Sequence, residues 1–153
     1  MIMPKIGVDQ GCLIPVNDKM SDEEATLLEP LSCCINGMRI IPLEEAQTVL
    51  VFGGGIIGVL NGLVAKARGA KSVTIMDVSQ DRLDLLKTMD LPFDHFVNSA
   101  TTSPEEWVKE FTKGRGADVV VVAASVKSLV KLGMKLLARD GHLSIFAGMP
   151  KSD

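Results

Sequence analysis

Three glycines stand at a spacing that could do chemistry. Gly53, Gly55 and Gly58 fall in Val51-Phe52-Gly53-Gly54-Gly55-Ile56-Ile57-Gly58, a G-x-G-x-x-G pattern. It directly follows the β-branched run Thr48–Phe52 and directly precedes an apolar helical stripe. In that setting each glycine has a mechanical role. Gly53 allows a tight turn from strand to helix, Gly55 lets the backbone approach a pyrophosphate, and Gly58 lets the helix pack closely on the sheet. Through Ile56 and Ile57 the loop backbone opens the helix, whose unpaired N–H groups and positive dipole end suit an anionic group.

Nineteen residues beyond Gly58, the run Ser72–Asp77 ends in a carboxylate. Asp77 is placed to accept hydrogen bonds from the hydroxyls of an adenosine ribose. A 2′-phosphate there would meet like charge, and Val78-Ser79 offers no guanidinium to neutralise it. NAD is therefore the expected cofactor rather than NADP. Arg82, in the first turn after Asp77, reaches the ribose or adenine side, or else is a solvated arginine on a helix face. The bland alternatives are a tight turn in an unliganded α/β protein for the glycines and a capping acid for Asp77. A methyltransferase also carries a glycine loop and a strand-two acid, but here the first glycine follows the strand directly, with the six-residue dinucleotide spacing.

The elements that must hold these groups alternate. Short β-branched runs occur at Thr48–Phe52, Ser72–Asp77, His95–Asn98, Val119–Ala124 and Leu143–Ala147. Uninterrupted apolar runs suit strands covered on both faces, as in a parallel sheet. Between them lie helical patterns over Ile56–Arg68, from a Ser79 cap to about Met89, from a Ser103-Pro104-Glu105-Glu106 capping box, and over Ser125–Leu137. The reading is an α/β, Rossmann-type doubly wound parallel sheet of five strands in the order 3-2-1-4-5. Its carbonyl ends at Ala123-Ala124-Ser125 and Phe146-Ala147-Gly148 should flank the nicotinamide half of the crevice. Residues 1–42 read differently. Leu13-Ile14-Pro15 is an edge strand at most, Ser21-Asp22-Glu23-Glu24 is a capping box opening a helix through Leu28, and Pro30 fits the first position of a further helix to about Arg39.

Composition sets the outer limits. The 153 residues are 46% hydrophobic and 23% charged, with a net charge of −3. A chain of that length buries roughly 68% of its unfolded surface, enough for one domain with a core. The charge argues against a nucleic-acid or membrane partner, and no apolar run approaches the ~20 residues of a membrane helix. MIMPKIGVDQ has one lysine and no sustained apolar core, so no secretory signal is expected. Three cysteines, two of them the neighbours Cys33 and Cys34, fit reduced thiols in the cytoplasm.

With those residues placed, the chain resembles the zinc-type medium-chain alcohol dehydrogenases, in the branch of sorbitol and other polyol dehydrogenases. The resemblance runs from about Leu13 to the end. Its markers are LIPV-x-D-x-MSDEEA-x-LLEPLS, VLVFGGGIIG, AKARGAKSV, D-x-S-x-DRL, GRGADVVV and LARDGHLSIFAG. The resemblance implies a GroES-like catalytic domain ahead of a Rossmann domain. It implies hydride transfer between an alcohol or polyol carbon and NAD, with zinc polarising the oxygen. It assigns Gly53, Gly55 and Gly58 to the pyrophosphate, Asp77 to the ribose, Arg82 to the adenosine side, and Glu29 to the catalytic zinc. Glu29 also precedes Pro30 at a helix start, where capping is its structural alternative. The family's other zinc ligands, a cysteine and a His-Glu pair, are expected ahead of Leu13. His95 and His142 fall in strands and are expected to be structural, while of Cys33 and Cys34, on the helix after Glu29, one is expected in the core and neither has metal-pair spacing. No catalytic residue is assigned. Ser125 stands where the family often has glycine, and Val122 where it often has an acid.

The expectation is a remnant of a catalytic domain with linking helices over 1–42, then an NAD-binding domain over 43–153 lacking the family's sixth strand. A homo-oligomer and an inactive isolated chain are expected. The alternative is a stand-alone nucleotide-binding module with a sensing or structural role.

Overall fold

The computed structural model describes residues 15–43 and 48–148. Leu13 and Ile14 of the suggested edge strand lie outside them. Five strands, β1 (Thr48–Phe52), β2 (Ser72–Asp77), β3 (His95–Asn98), β4 (Ala117–Val122) and β5 (Leu137–Ile145), form one sheet. The order is β3-β2-β1-β4-β5, with every pairing parallel. The expected order 3-2-1-4-5 is the observed one. Each connection passes through a helix: α3 (Ile56–Ala67), α4 (Gln80–Thr88), α5 (Pro104–Phe111) and α6 (Lys127–Leu136). Ahead of the sheet run α1 (Asp22–Thr26) and α2 (Leu28–Met38).

Alternation along the strands builds two cores. Val49, Val51, Val73, Ile75, Val119 and Val121 face one layer, where α2, α3 and α4 supply Cys34, Met38, Leu60, Val64, Leu83 and Leu86. Leu50, Phe52, Met76 and Val120 face the other layer, closed by Val108 of α5 and Leu136 of α6. Covering both faces is why β1 is buried at every position and reads as an unbroken apolar run. Crossing from α2 to α3, the Arg68 guanidinium donates to the carbonyls of Met38 (2.6 Å) and Ile41 (2.9 Å), satisfying acceptors where α2 ends.

Several element boundaries differ from the sequence reading. β4 starts at Ala117 rather than Val119 and ends at Val122 rather than Ala124. Asp118 is tolerated in the strand because its carboxylate accepts the Thr48 N–H (2.9 Å) and pairs with Arg115. β5 begins at Leu137 rather than Leu143 and stops at Ile145. Its register on β4 jumps between Leu137 and His142, with Asp140 at φ 63° in the bulge. That bulge places polar residues in the strand, which the apolar pattern alone excluded.

α6 runs Lys127–Leu136 with Val126 as its N-cap, starting two residues after the expected Ser125. α1 stops at Thr26, two residues short of the expected end, although its Ser21–Glu24 capping box is complete. α2 starts at Leu28, not Pro30. Pro30 then occupies the third helical position, where its missing N–H would have had no intrahelical partner in any case. At α5, Ser103 Oγ accepts the Glu106 N–H (3.3 Å) and Pro104 opens the helix as expected. No helix among the described residues is long and apolar enough to cross a membrane.

Candidate functional site

At the carbonyl ends of β1, β2 and β4 the strand order reverses, and a cleft of about 270 Å³ opens there. A crevice at such a switch point is where open α/β sheets bind ligands. Gly53 makes the turn out of β1 at φ 106°, with its N–H on the Met76 carbonyl (2.8 Å). A side chain there would be strained by the backbone and would press on Ala123 at 3.3 Å. Gly58 sits one turn into α3, where an added Cβ would lie 1.8 Å from the Gly53 carbonyl oxygen. Only a hydrogen atom fits between helix and loop.

Gly55 is the counterpart of that crowding. A Cβ added there meets nothing within 4 Å, so the space beside the loop is open. As the N-cap of α3, Gly55 also has no side-chain hydrogen bond to the helix. The first N–H groups of α3 are therefore left for an outside acceptor. Open space and free donors at one point fit a pyrophosphate, and so the residues present fit a dinucleotide.

Asp77 ends β2 almost wholly buried at 5% exposure. Its Oδ2 accepts the Gly54 N–H (2.7 Å) and an Arg82 guanidinium N–H (Nη1, 2.8 Å), while Oδ1 accepts the Ser79 N–H (2.8 Å). Burial pushes the Asp77 carboxyl up. The Ser79 and Gly54 N–H groups and then Arg82 outweigh it and hold the group below the usual carboxylate range. The side chain is thus an anion fastened to the glycine loop. Arg82 itself is half exposed. The sequence reading placed Arg82 on the ribose or adenine side but not as the partner of Asp77. One helical turn brings Arg82 back to the carboxylate.

Ala123 and Ala124 line the same cleft, as expected. Phe146, Ala147 and Gly148 do not line it. The Phe146 ring lies against Gly37 of α2, where an added Cβ would be 2.7 Å from it, and both Phe146 and Ala147 donate to the Val122 carbonyl (3.0 Å each). Ile57 packs on the core below the loop and Ile56 is exposed, so their side chains stay out of the cleft. Ser99, Val126 and Leu129 line the cleft and were missed. Ser99 had a readable signal: it follows β3 directly at a carbonyl end, and its N–H donates to the Asp77 carbonyl (2.9 Å).

Glu29 stands on α2, exposed, with its Oε1 accepting the Cys33 thiol (3.2 Å). Cys33 is exposed and Cys34 is buried in the core. Among the described residues no three His, Cys, Asp or Glu side chains converge to hold a metal ion. Tetrahedral zinc asks for about three or four such donors, so these residues do not fit a zinc site. His95 lies edge-on to Trp107 and Phe111, with ring centroids 5.5 and 4.8 Å away. A larger groove of about 400 Å³, beside Met20, Leu27, Leu28 and Leu31, is mostly apolar and gathers no reactive cluster.

A family model described as zinc-binding dehydrogenase matches residues 57–153. The protein named "Probable D-xylulose reductase A" from Neosartorya fischeri is 34% identical over 138 residues, covering 89% of this chain and 38% of its own. A sorbitol dehydrogenase from Halalkalibacterium halodurans is 32% identical over 80% of this chain and 36% of its own. Among solved structures, an Escherichia coli oxidoreductase/dehydrogenase of unknown specificity superposes with TM-score 0.79 at 25% identity, over 90% of this chain and 39% of that one. Benzyl alcohol dehydrogenase from Acinetobacter calcoaceticus gives 0.69 at 26% identity, over 90% and 39%. The chain thus spans under two fifths of the length of these relatives.

Proposed function

This chain belongs to the zinc-binding dehydrogenase family, and from that premise we propose that it is the NAD-binding portion of a polyol dehydrogenase. The carrying observation is the meeting of three features in one cleft: the open loop at Gly55, the uncapped start of α3 and the buried carboxylate of Asp77. The names of the relatives, a D-xylulose reductase and a sorbitol dehydrogenase, favour a polyol or its ketose as substrate.

Each residue has a task in this reading. The backbone of Gly53, Gly55, Ile56, Ile57 and Gly58 holds the pyrophosphate against the α3 dipole. Asp77 offers the lone pair of Oδ1 not used by Ser79 to a ribose hydroxyl. Arg82 borders the adenosine side. Ala123 and Ala124 wall the cleft toward the nicotinamide. When bound, the nicotinamide ring supplies a hydride acceptor and donor. A zinc role for Glu29 draws on family resemblance alone, and the chain by itself binds NAD without oxidising polyols. A homo-oligomer and a cytoplasmic setting complete the reading.

The test is melting temperature with and without dinucleotide, alongside NADH absorbance in sorbitol, xylitol and threonine. Millimolar NAD should raise the melting temperature by several degrees, NADP by less, with no absorbance gained; saturation at ~100-fold over the dissociation constant adds ~2.7 kcal/mol. No shift with NAD would overturn the reading.

A further inference from the structure

A further cavity lies at the opposite end of the sheet from the dinucleotide cleft. About 250 Å³ in volume, it is lined by His95 at the start of β3 and by Trp107, Glu110 and Phe111 of α5. Trp107 and Phe111, one helical turn apart, stack with ring centroids 4.8 Å from each other, and His95 meets both edge-on. Trp107 rests on the core, but Phe111 is 37% exposed, so the second ring is not there to fill the interior.

Three features of this cavity favour a positive charge. The faces of aromatic rings carry the negative end of a quadrupole. Glu110 adds a carboxylate whose oxygens make no ion pair or hydrogen bond among the described residues. Glu110 and Phe111 also lie in the last turn of α5, at the negative end of the helix dipole. Glu106, four residues before Glu110, puts a second carboxylate on the same side of the helix. The basic residue of that turn, Lys109, lines a different cavity, with Gly114, Arg115 and Lys135. Asp94, beside His95, is already engaged by Lys66 (2.8 Å) and the Val73 N–H (2.7 Å). Neither the His95 imidazole nor the Trp107 indole makes a hydrogen bond among the described residues. Ring faces therefore dominate the lining, which suits a cation that carries its charge beneath methyl groups better than a hydrated inorganic ion.

We propose that this cavity binds a small alkylammonium cation of choline size, held against the faces of Trp107 and Phe111 with Glu110 as counter-ion. The site is separate from the dinucleotide cleft, which lies at the carbonyl ends of the strands, whereas His95 opens β3.

The chain has one tryptophan and no tyrosine, so all indole emission reports on Trp107. Titrating the full chain with choline chloride should change that emission saturably, with a dissociation constant of about 1–10 mM, as a few cation–π contacts at a half-open site would give. Sodium chloride at equal ionic strength should not. The neutral isostere 3,3-dimethylbutan-1-ol has choline's shape without its charge and should bind at least about fivefold more weakly. Glu110→Gln changes an exposed side chain, so it should fold as the parent does and weaken choline about threefold or more. Phe111→Leu should weaken it similarly by removing a ring face.

Saturation-transfer NMR on the choline methyl protons checks the same comparisons independently of emission. A neutral isostere that binds as well as choline overturns the proposal, because the cavity is then apolar without preference for charge. So does a folded Glu110→Gln or Phe111→Leu chain that binds choline unchanged. A parent chain that gives neither response up to about 100 mM choline overturns it as well.

Discussion

At the scale of single residues, hydrogen-bonded carboxylates carry the stability that acid should remove. Burial raises the Asp77 carboxyl, but the donors from Ser79, Gly54 and Arg82 lower it below its ordinary value. Asp94 is similar: burial raises it, and Lys66 (2.8 Å) with the Val73 N–H (2.7 Å) lowers it further than that. A group whose folded pKa is depressed contributes stability above its unfolded pKa and loses it as pH falls through the folded value. The window therefore opens near pH 4, the unfolded carboxylate value of about 3.9, and extends downward. The urea midpoint should fall between pH 5 and pH 3. Asp94→Asn should lower the midpoint at pH 5 by the equivalent of ~1 kcal/mol and shrink that fall, because its half-exposed ion pair is screened. A midpoint unchanged across the window would refute the assignment.

At the scale of elements, the fit of α3 on β1 decides whether the loop exists at all. Gly58 is where helix and loop touch, and the contact is with backbone, which cannot swing aside as a side chain can. Gly58→Ala should therefore cost about 3 kcal/mol or more, at the upper end of overpacking penalties. It should also abolish NAD stabilisation even in the fraction that folds. Urea denaturation checks the first outcome and calorimetric titration the second. By contrast, Gly55→Ala meets open space and should fold normally while weakening NAD, since the methyl would enter the cradle. Loss of binding in the first variant and full retention in the second would place the ligand elsewhere.

At the scale of the whole molecule, the sheet has two outer strands among the described residues, β3 and β5. The first half of β5 protects itself: Arg139 and Asp140 are almost fully exposed and the bulge breaks the pairing edge. From His142 to Ile145 the strand is regular again, paired through Val119–Val122 on one side only, and Ile145 is 52% exposed. A regular edge with an unpaired row of backbone groups and an exposed isoleucine invites strand pairing. The full chain should self-associate at high micromolar concentration in sedimentation velocity, and Ile145→Lys should shift it toward monomer. A parent chain that stays monomeric throughout would count against this edge.

The sequence by itself determined the period of each element and hence the sheet. Runs such as Thr48–Phe52 and Ser72–Asp77 are buried on both faces, so hydrophobicity alone marks them, and the order is that of a doubly wound sheet with right-handed crossovers. The glycine spacing and the distance to Asp77 were equally legible, because turn geometry is local.

Tertiary structure decided the rest wherever a contact crosses elements. The start of β4 was hidden because Asp118 is stabilised by Thr48, seventy residues away. The span of β5 was hidden because its bulge depends on register against β4. Phe146 was expected at the cleft but turned onto Gly37 of α2, a space no local pattern reveals. The state of Asp77 was settled by the Gly54 N–H, which reaches it only when β1 and β2 lie side by side, together with the nearby donors of Ser79 and Arg82. Periodicity is written along the chain; a hydrogen-bond partner far along that chain exists only once the sheet has formed.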